Sequence, residues 1–150
     1  AARGITEDGR ERLAAELTAG KDAQHLNTED SYKAMSEHDA RFHALVAELS
    51  GSDFVREAYI RTHCHLHLFR LYTVLKTRLR EDRKDAAVIR ELFELYYEPK
   101  SGFLAFTEHQ AIADAISAGD QDKASTLMLA HINSSLERFG PTMSMMEENQ

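Results

Sequence analysis

Glycine cuts this chain into segments of helical length, and little else interrupts it. Thr6 stands ahead of Glu7 and Asp8, a cap followed by acidic residues in the first turn, and the helix it starts is expected to stop at Gly20. Residues 21–28 are polar and read as a loop ending at a cap, Asn27 or Thr28. A second helix then runs to Ser50, with Gly51 as its C-terminal stop. Ser52 or Asp53 caps a third, which the pattern carries to about Arg80, a span of about 42 Å at 1.5 Å per residue. Glu81 to Asp85 is a charged break or a solvated continuation of that helix, and Ala86 to Tyr97 is a short amphipathic helix ended by Pro99. Ser101 to Ala118 and Gln121 to Phe139 form a final pair. Gly119-Asp120 joins them, a C-cap glycine followed directly by an N-cap aspartate. The methionine-rich tail from Pro141 is expected to fray.

Ten valines and isoleucines and two prolines in 150 residues are too few for a β-sandwich with many short strands. The expected fold class is all-α, an antiparallel helical bundle of about six helices forming one domain over residues 1–150. No apolar run reaches the ~18 residues of a membrane span, so no membrane partner is expected. The single cysteine, Cys64, cannot form an intrachain disulfide, and nothing resembles a secretion signal; a cytoplasmic location is the default expectation. Eighteen basic against 25 acidic residues give a net charge of −7, which argues against this chain itself gripping a phosphate backbone. Because it begins at Ala1 rather than a methionine, the chain reads as part of a longer protein.

Four polar residues sit where apolar ones belong. The second helix has a seam at Tyr32, Met35, Phe42, Val46 and Leu49 that skips one place, and Asp39, four after Met35, occupies it. A buried carboxylate needs a cation or several donors. His43 lies one turn on, on the same face. Alone, Asp39 and His43 would suit a hydrogen-bonded pair at a helix junction. The last hairpin repeats the anomaly: the seam Gly102, Ala105, Ile112, Ile116 passes through His109, and the seam Ala124, Leu127, Met128, Ser135, Phe139 passes through His131. His109 lies ten residues before Gly119 and His131 eleven after Asp120, so an antiparallel hairpin brings both imidazoles to one level. Either histidine alone is an ordinary core residue. Together, three imidazoles and a carboxylate make a complete site for one divalent transition metal per chain, with zinc the first candidate and nickel or manganese the others.

A second cluster lies on the third helix. His63, His67 and Arg70 share one stripe, while His65 points to the other side. His63 follows Gly51 by as many residues as Asp39 precedes it, so the stripe either faces the proposed metal site or is solvated.

These pieces together resemble the FCD family, the ligand-binding C-terminal domain of GntR-type bacterial transcription regulators. The resemblance is carried by Asp39-Ala40-Arg41-Phe42-His43 with the stop at Ser50-Gly51, by His65-Leu66-His67-Leu68-Phe69-Arg70, by Glu108-His109-Gln110-Ala111-Ile112 leading to Ala115-Ile116-Ser117-Ala118-Gly119-Asp120, and by Ala124 through Met128 to His131-Ile132. It implies a helical bundle holding a divalent metal through Asp39, His43, His109 and His131, with a small carboxylate metabolite bound beside it. Arg70 is the candidate grip for that carboxylate, with His63 and His67 on the same stripe. The resemblance also implies a homodimer that meets DNA only through an N-terminal winged helix-turn-helix, a segment this chain does not include. The family's first bundle helix is expected to be largely missing too, since Ala1-Ala2-Arg3 resembles only its end.

The resulting expectation is a metal-containing regulatory domain whose effector modulates operator affinity, and not an enzyme. The rival is a helical-bundle metalloenzyme with a mononuclear site of three histidines and one aspartate. Di-metal carboxylate bundles use Glu-x-x-His, which does not occur here, and a hydrolase needs a base beside a metal-bound water. Glu108 is the only obvious acid adjacent in sequence, and helix neighbours point about 100° apart. A blander reading makes the four residues a buried polar network in a structural bundle.

Overall fold

The computed structural model describes residues 4–23, 28–62 and 104–147, together with Thr73, Thr77 and Ala87, which are helical. Five helices are described: α1 (Glu7–Ala23), α2 (Thr28–Glu48), α3 (Asp53–Thr62), α4 (Leu104–Ser117) and α5 (Gln121–Glu147). No strand occurs among the described residues. The fold is an all-α bundle, in which α1 packs on α2 and α4, α2 on α3, and α4 on α5. No described helix is long and apolar enough to cross a membrane.

The caps predicted at Thr6, Gly51 and Gly119-Asp120 act where the sequence puts them. Thr6 Oγ1 accepts from the Gly9 N–H at 3.1 Å, satisfying one orphan donor of α1. Gly51 ends the α2 segment with φ of 70°, a left-handed conformation that side chains resist. The α4–α5 turn is a Schellman motif. Gly119 takes φ of 75°, its N–H reaches the Ile116 carbonyl at 3.0 Å, and the Asp120 N–H reaches Ala115 at 3.0 Å. Asp120 then caps α5 through its Oδ1, which accepts from Lys123 N–H at 3.0 Å. This two-residue reversal fixes the register of the hairpin.

Two expectations are corrected. Helix α1 does not stop at Gly20 but continues to Ala23. Gly20 is buried inside the helix because a neighbour needs the room, not because the backbone turns. A Cβ there would lie 2.6–2.8 Å from three atoms of the His38 ring. The last helix also does not end at Phe139, since α5 runs on through Pro141 to Glu147. Proline removes one helical hydrogen bond but keeps a helical φ, and the methionines and glutamate that follow are helix formers. Apart from Thr73, Thr77 and Ala87, the expected run of the third helix from His63 to Arg80 and the helix expected over 86–97 lie outside the described residues.

The core joins Leu13 and Leu17 of α1 to Phe42 of α2, and to Ile112, Ala113, Ala115 and Ile116 of α4, with Ala124 from α5. Arg10 of α1 donates through Nε to the Ser117 carbonyl at 3.0 Å, supplying a cation at the C-terminal end of α4. The exposed Arg12–Glu48 fork joins α1 to the end of α2 with two bonds of 2.8 and 2.9 Å. Solvent holds such a pair to below about 1 kcal/mol, so apolar packing carries the α1–α2 contact.

Gly20→Ala is therefore expected to destabilise the protein, although alanine favours an exposed helix interior by about 1 kcal/mol. Overpacking against a ring that is hydrogen-bonded on both sides should give a net loss of about 1–3 kcal/mol. A thermal melt should show Tm falling by about 2–4 °C per kcal/mol.

Candidate metal centre

Three elements deliver four donors to one point. Asp39 and His43 lie one turn apart on α2, His109 stands midway along α4, and His131 projects from α5. One ligand atom from each lies within 4.8 Å of all the others. His43 Nε2 is 3.1 Å from His131 Nε2 and 3.7 Å from Asp39 Oδ1, while His109 Nε2 is 3.5 Å from the same oxygen. The His109 and His131 ring centroids are 4.8 Å apart, the level match that the hairpin register requires. Phe42 stacks on the other face of this arrangement, with its ring 4.1 Å from that of His109 and inclined by 17°.

Burial is deepest at the two hairpin histidines, His109 at 1% and His131 at 3% exposed, while the side chains of Asp39 and His43 keep 13% and 17%. A buried nitrogen without a partner costs free energy. His109 Nε2 is such an atom, fully buried and without a hydrogen bond among the described residues. Its neighbours are the carboxylate and the other two imidazoles. An ion among them would satisfy it. Two imidazole nitrogens held ~2.1 Å from one ion stand ~3.0–3.4 Å apart at angles from right to tetrahedral, a range that includes the 3.1 Å between His43 and His131. The donor set, nitrogen-rich with one carboxylate, suits zinc, nickel or manganese.

The protonation states suit ligation. The His131 Nδ1–H donates to Glu108 Oε2 at 2.8 Å, because a carboxylate only accepts, and this turns the Nε2 lone pair toward the cluster. Ser134 Oγ donates to the other Glu108 oxygen at 3.1 Å. Burial pushes the His43 pKa down to about 4, with a further lowering from His38. Burial, then the neighbouring imidazoles, holds His109 well below the ordinary histidine value. His131 is lowered by burial and by His43, against the opposing pull of Glu108. Near neutral pH these rings hold lone pairs, the form a metal requires.

Sequence reasoning missed two residues here. His38 is 0% exposed, wedged between α1 and His109, with Nδ1 2.8 Å from Glu16 Oε1 and Nε2 3.2 Å from His109 Nδ1. It fits the gap in the α2 seam as well as Asp39 does, three after Met35 and four before Phe42. The structure uses both: His38 fills the core and Asp39 faces the cluster. Glu16 carried a weaker signal, three after Leu13 and four before Gly20 on the same face of α1. Burial alone would raise the Glu16 carboxyl, but hydrogen bonds from His38 and Arg41 outweigh it and hold it below the usual range. His63, His67 and Arg70 lie outside the described residues. The shallow groove between α1 and α2, lined by Arg12, Glu16, Arg41 and Glu48, lies outside the histidine cluster, and its charges pair with one another.

The sequence profile described as FCD domain matches residues 1–134. The chain belongs to the FCD domain family. FCD domains are the regulatory ligand-binding domains of GntR-type regulators, which agrees with the helical bundle and its enclosed polar cluster. No curated protein and no solved structure matches the chain significantly.

The depressed histidines set a pH dependence for the metal-free protein. The unfolded chain takes up protons near pH 6.5 while His43 stays neutral to about 4, so the unfolded state binds more protons in that window. Stability is full above about pH 6.5 and falls as pH drops, by up to about 1.4 kcal/mol per pH unit for each ring kept neutral. Urea melts of chelator-treated protein at pH 7.5 and 5 should show the lower midpoint at pH 5.

Proposed function

We propose that this FCD domain is a metal-containing sensor of a small carboxylate in a GntR-type transcription regulator. Asp39, His43, His109 and His131 hold one divalent transition metal. The observation that carries the reading is the buried, unbonded Nε2 of His109 facing three further donors. Four protein ligands on a metal able to take five or six leave positions for a carboxylate oxygen. The metal supplies Lewis acidity that holds that oxygen. Arg70 supplies the planar fork that grips the far end of the anion, and His63 and His67 are the further candidate effector-binding residues.

The protein acts as a cytoplasmic homodimer. It reaches DNA through a separate N-terminal winged helix-turn-helix domain, whose operator affinity the effector changes. Sensing is favoured over hydrolysis because Glu108, the nearest acid in sequence, is engaged by His131 and Ser134 rather than poised as a base toward a metal-bound water. The net charge of −7 likewise favours a domain that leaves DNA contacts to another part of the regulator.

Elemental analysis of the purified protein should find about one metal per chain, and His109→Ala or His131→Ala should lose it. A metal present at a thousandfold excess over its Kd adds about 4 kcal/mol of stability, so both variants should also melt earlier than the loaded parent. A parent free of metal that melts like its variants would remove the reading. Calorimetry with a panel of di- and tricarboxylates should then show binding that vanishes on chelation and weakens about tenfold or more in Arg70→Lys, with metal content unchanged. Equal affinity of the loaded, stripped and Arg70→Lys proteins would leave the metal a structural role.

A further inference from the structure

His38 is a buried titratable side chain in the core, outside the proposed ligand set. A leucine or phenylalanine would fill its place between α1 and α4 without needing partners. Instead its ring occupies space cleared by Gly20, whose missing side chain lets α1 approach to contact distance. Both of its nitrogens are engaged, Nδ1 with Glu16 Oε1 at 2.8 Å and Nε2 with His109 Nδ1 at 3.2 Å. Glu16 is anchored from its other side by Arg41 Nε, 2.9 Å from Oε2. We propose that Glu16 and His38 form a positioning relay that fixes which nitrogen of His109 carries its proton, so that Nε2 meets the ion as a lone pair. The proposal rests on the metal reading above and assigns roles to two residues outside the ligand set.

The argument follows from what each group can donate. An ionised carboxylate has no proton to give, so His38 Nδ1 carries the hydrogen of the 2.8 Å contact. In the neutral ring His38 Nε2 then accepts, which requires the hydrogen of the next contact to sit on His109 Nδ1. His109 Nε2 is left with its lone pair directed at the cluster. The reverse arrangement would aim an N–H among Asp39, His43 and His131 and exclude an ion. The two fully buried imidazole ligands thus reach the same state by different routes, His131 through Glu108 directly and His109 through an intervening imidazole. Removing such an outer partner usually costs ~10–100-fold in metal affinity.

The test uses the full chain with zinc as the only probe. Zinc affinity is measured by chelator competition for the parent, His38→Phe and Glu16→Gln, with thermal melts of the metal-free forms to establish folding. His38→Phe, which keeps an aromatic ring, although a larger one, and removes the acceptor, should weaken zinc by ~10–100-fold. Glu16→Gln should weaken it less, because an amide can either donate to or accept from His38. Long-range proton–nitrogen spectra of the metal-free parent at mildly alkaline pH should show His109 as the Nδ1–H tautomer. Glu16→Gln should give a mixture, a change that a merely space-filling His38 would not produce. A His109 Nε2–H tautomer in the parent, or folded variants binding zinc within twofold of the parent, would overturn the relay while leaving the metal site standing. If His38→Phe does not fold, Glu16→Gln and the parent spectrum decide. A parent that binds no zinc would overturn the metal reading and the relay together.

Discussion

A buried imidazole nitrogen with no hydrogen-bond partner among the described residues is the constraint around which this bundle is built. Water cannot reach His109 Nε2, and no described donor meets it. Two further imidazoles and a carboxylate crowd the same point, and burial keeps the rings from escaping into the protonated form. Such a cluster is costly in an apolar core unless something positive completes it. Much of the surrounding architecture holds these groups in place. Phe42 stacks against His109, Glu108 anchors His131, and His38 spans the gap back to α1.

The hairpin matters as much as the chemistry. His109 and His131 come from different helices, and they meet because Gly119 and Asp120 reverse the chain in two residues. A longer loop would leave the register of α4 against α5 to side-chain packing alone. Donors from α2, α4 and α5 give the proposed ion a hold on three helices at once. An anion bound there would then act on helix packing directly, and by no more than its preference for one packing over another. That suits a regulatory ligand-binding domain, which acts by shifting a conformational population.

How much of this was legible follows from which physical signals are periodic. Helices and their ends were readable because capping chemistry is local: Thr6, Gly51 and the Gly119-Asp120 pair act on backbone groups within a few residues of themselves. The four cluster residues were readable because each interrupts an apolar seam, and the heights of His109 and His131 followed from counting out from one turn. Gly20 misled because glycine has two uses. As a stop it supplies a left-handed φ, and as a spacer it lets another residue approach; one sequence cannot tell these apart until His38 is seen against it. His38 and Glu16 stayed hidden for a related reason. Their partnership crosses from α2 to α1, and no period within either helix records it. The extension of α5 beyond Phe139 was missed because the methionine-rich tail was weighed by its place at the end of the chain rather than by the helix-forming residues it carries.

The central claim, a single ion held by three imidazoles and one carboxylate, is most directly tested by X-ray absorption at the edge of whichever divalent metal the purified protein carries. The account predicts a first shell of nitrogen and oxygen alone at ~2.0–2.2 Å, with outer-shell scattering from three imidazole rings. A sulfur scatterer near ~2.3 Å, which would bring in Cys64, or a shell with fewer than three imidazoles, would contradict it.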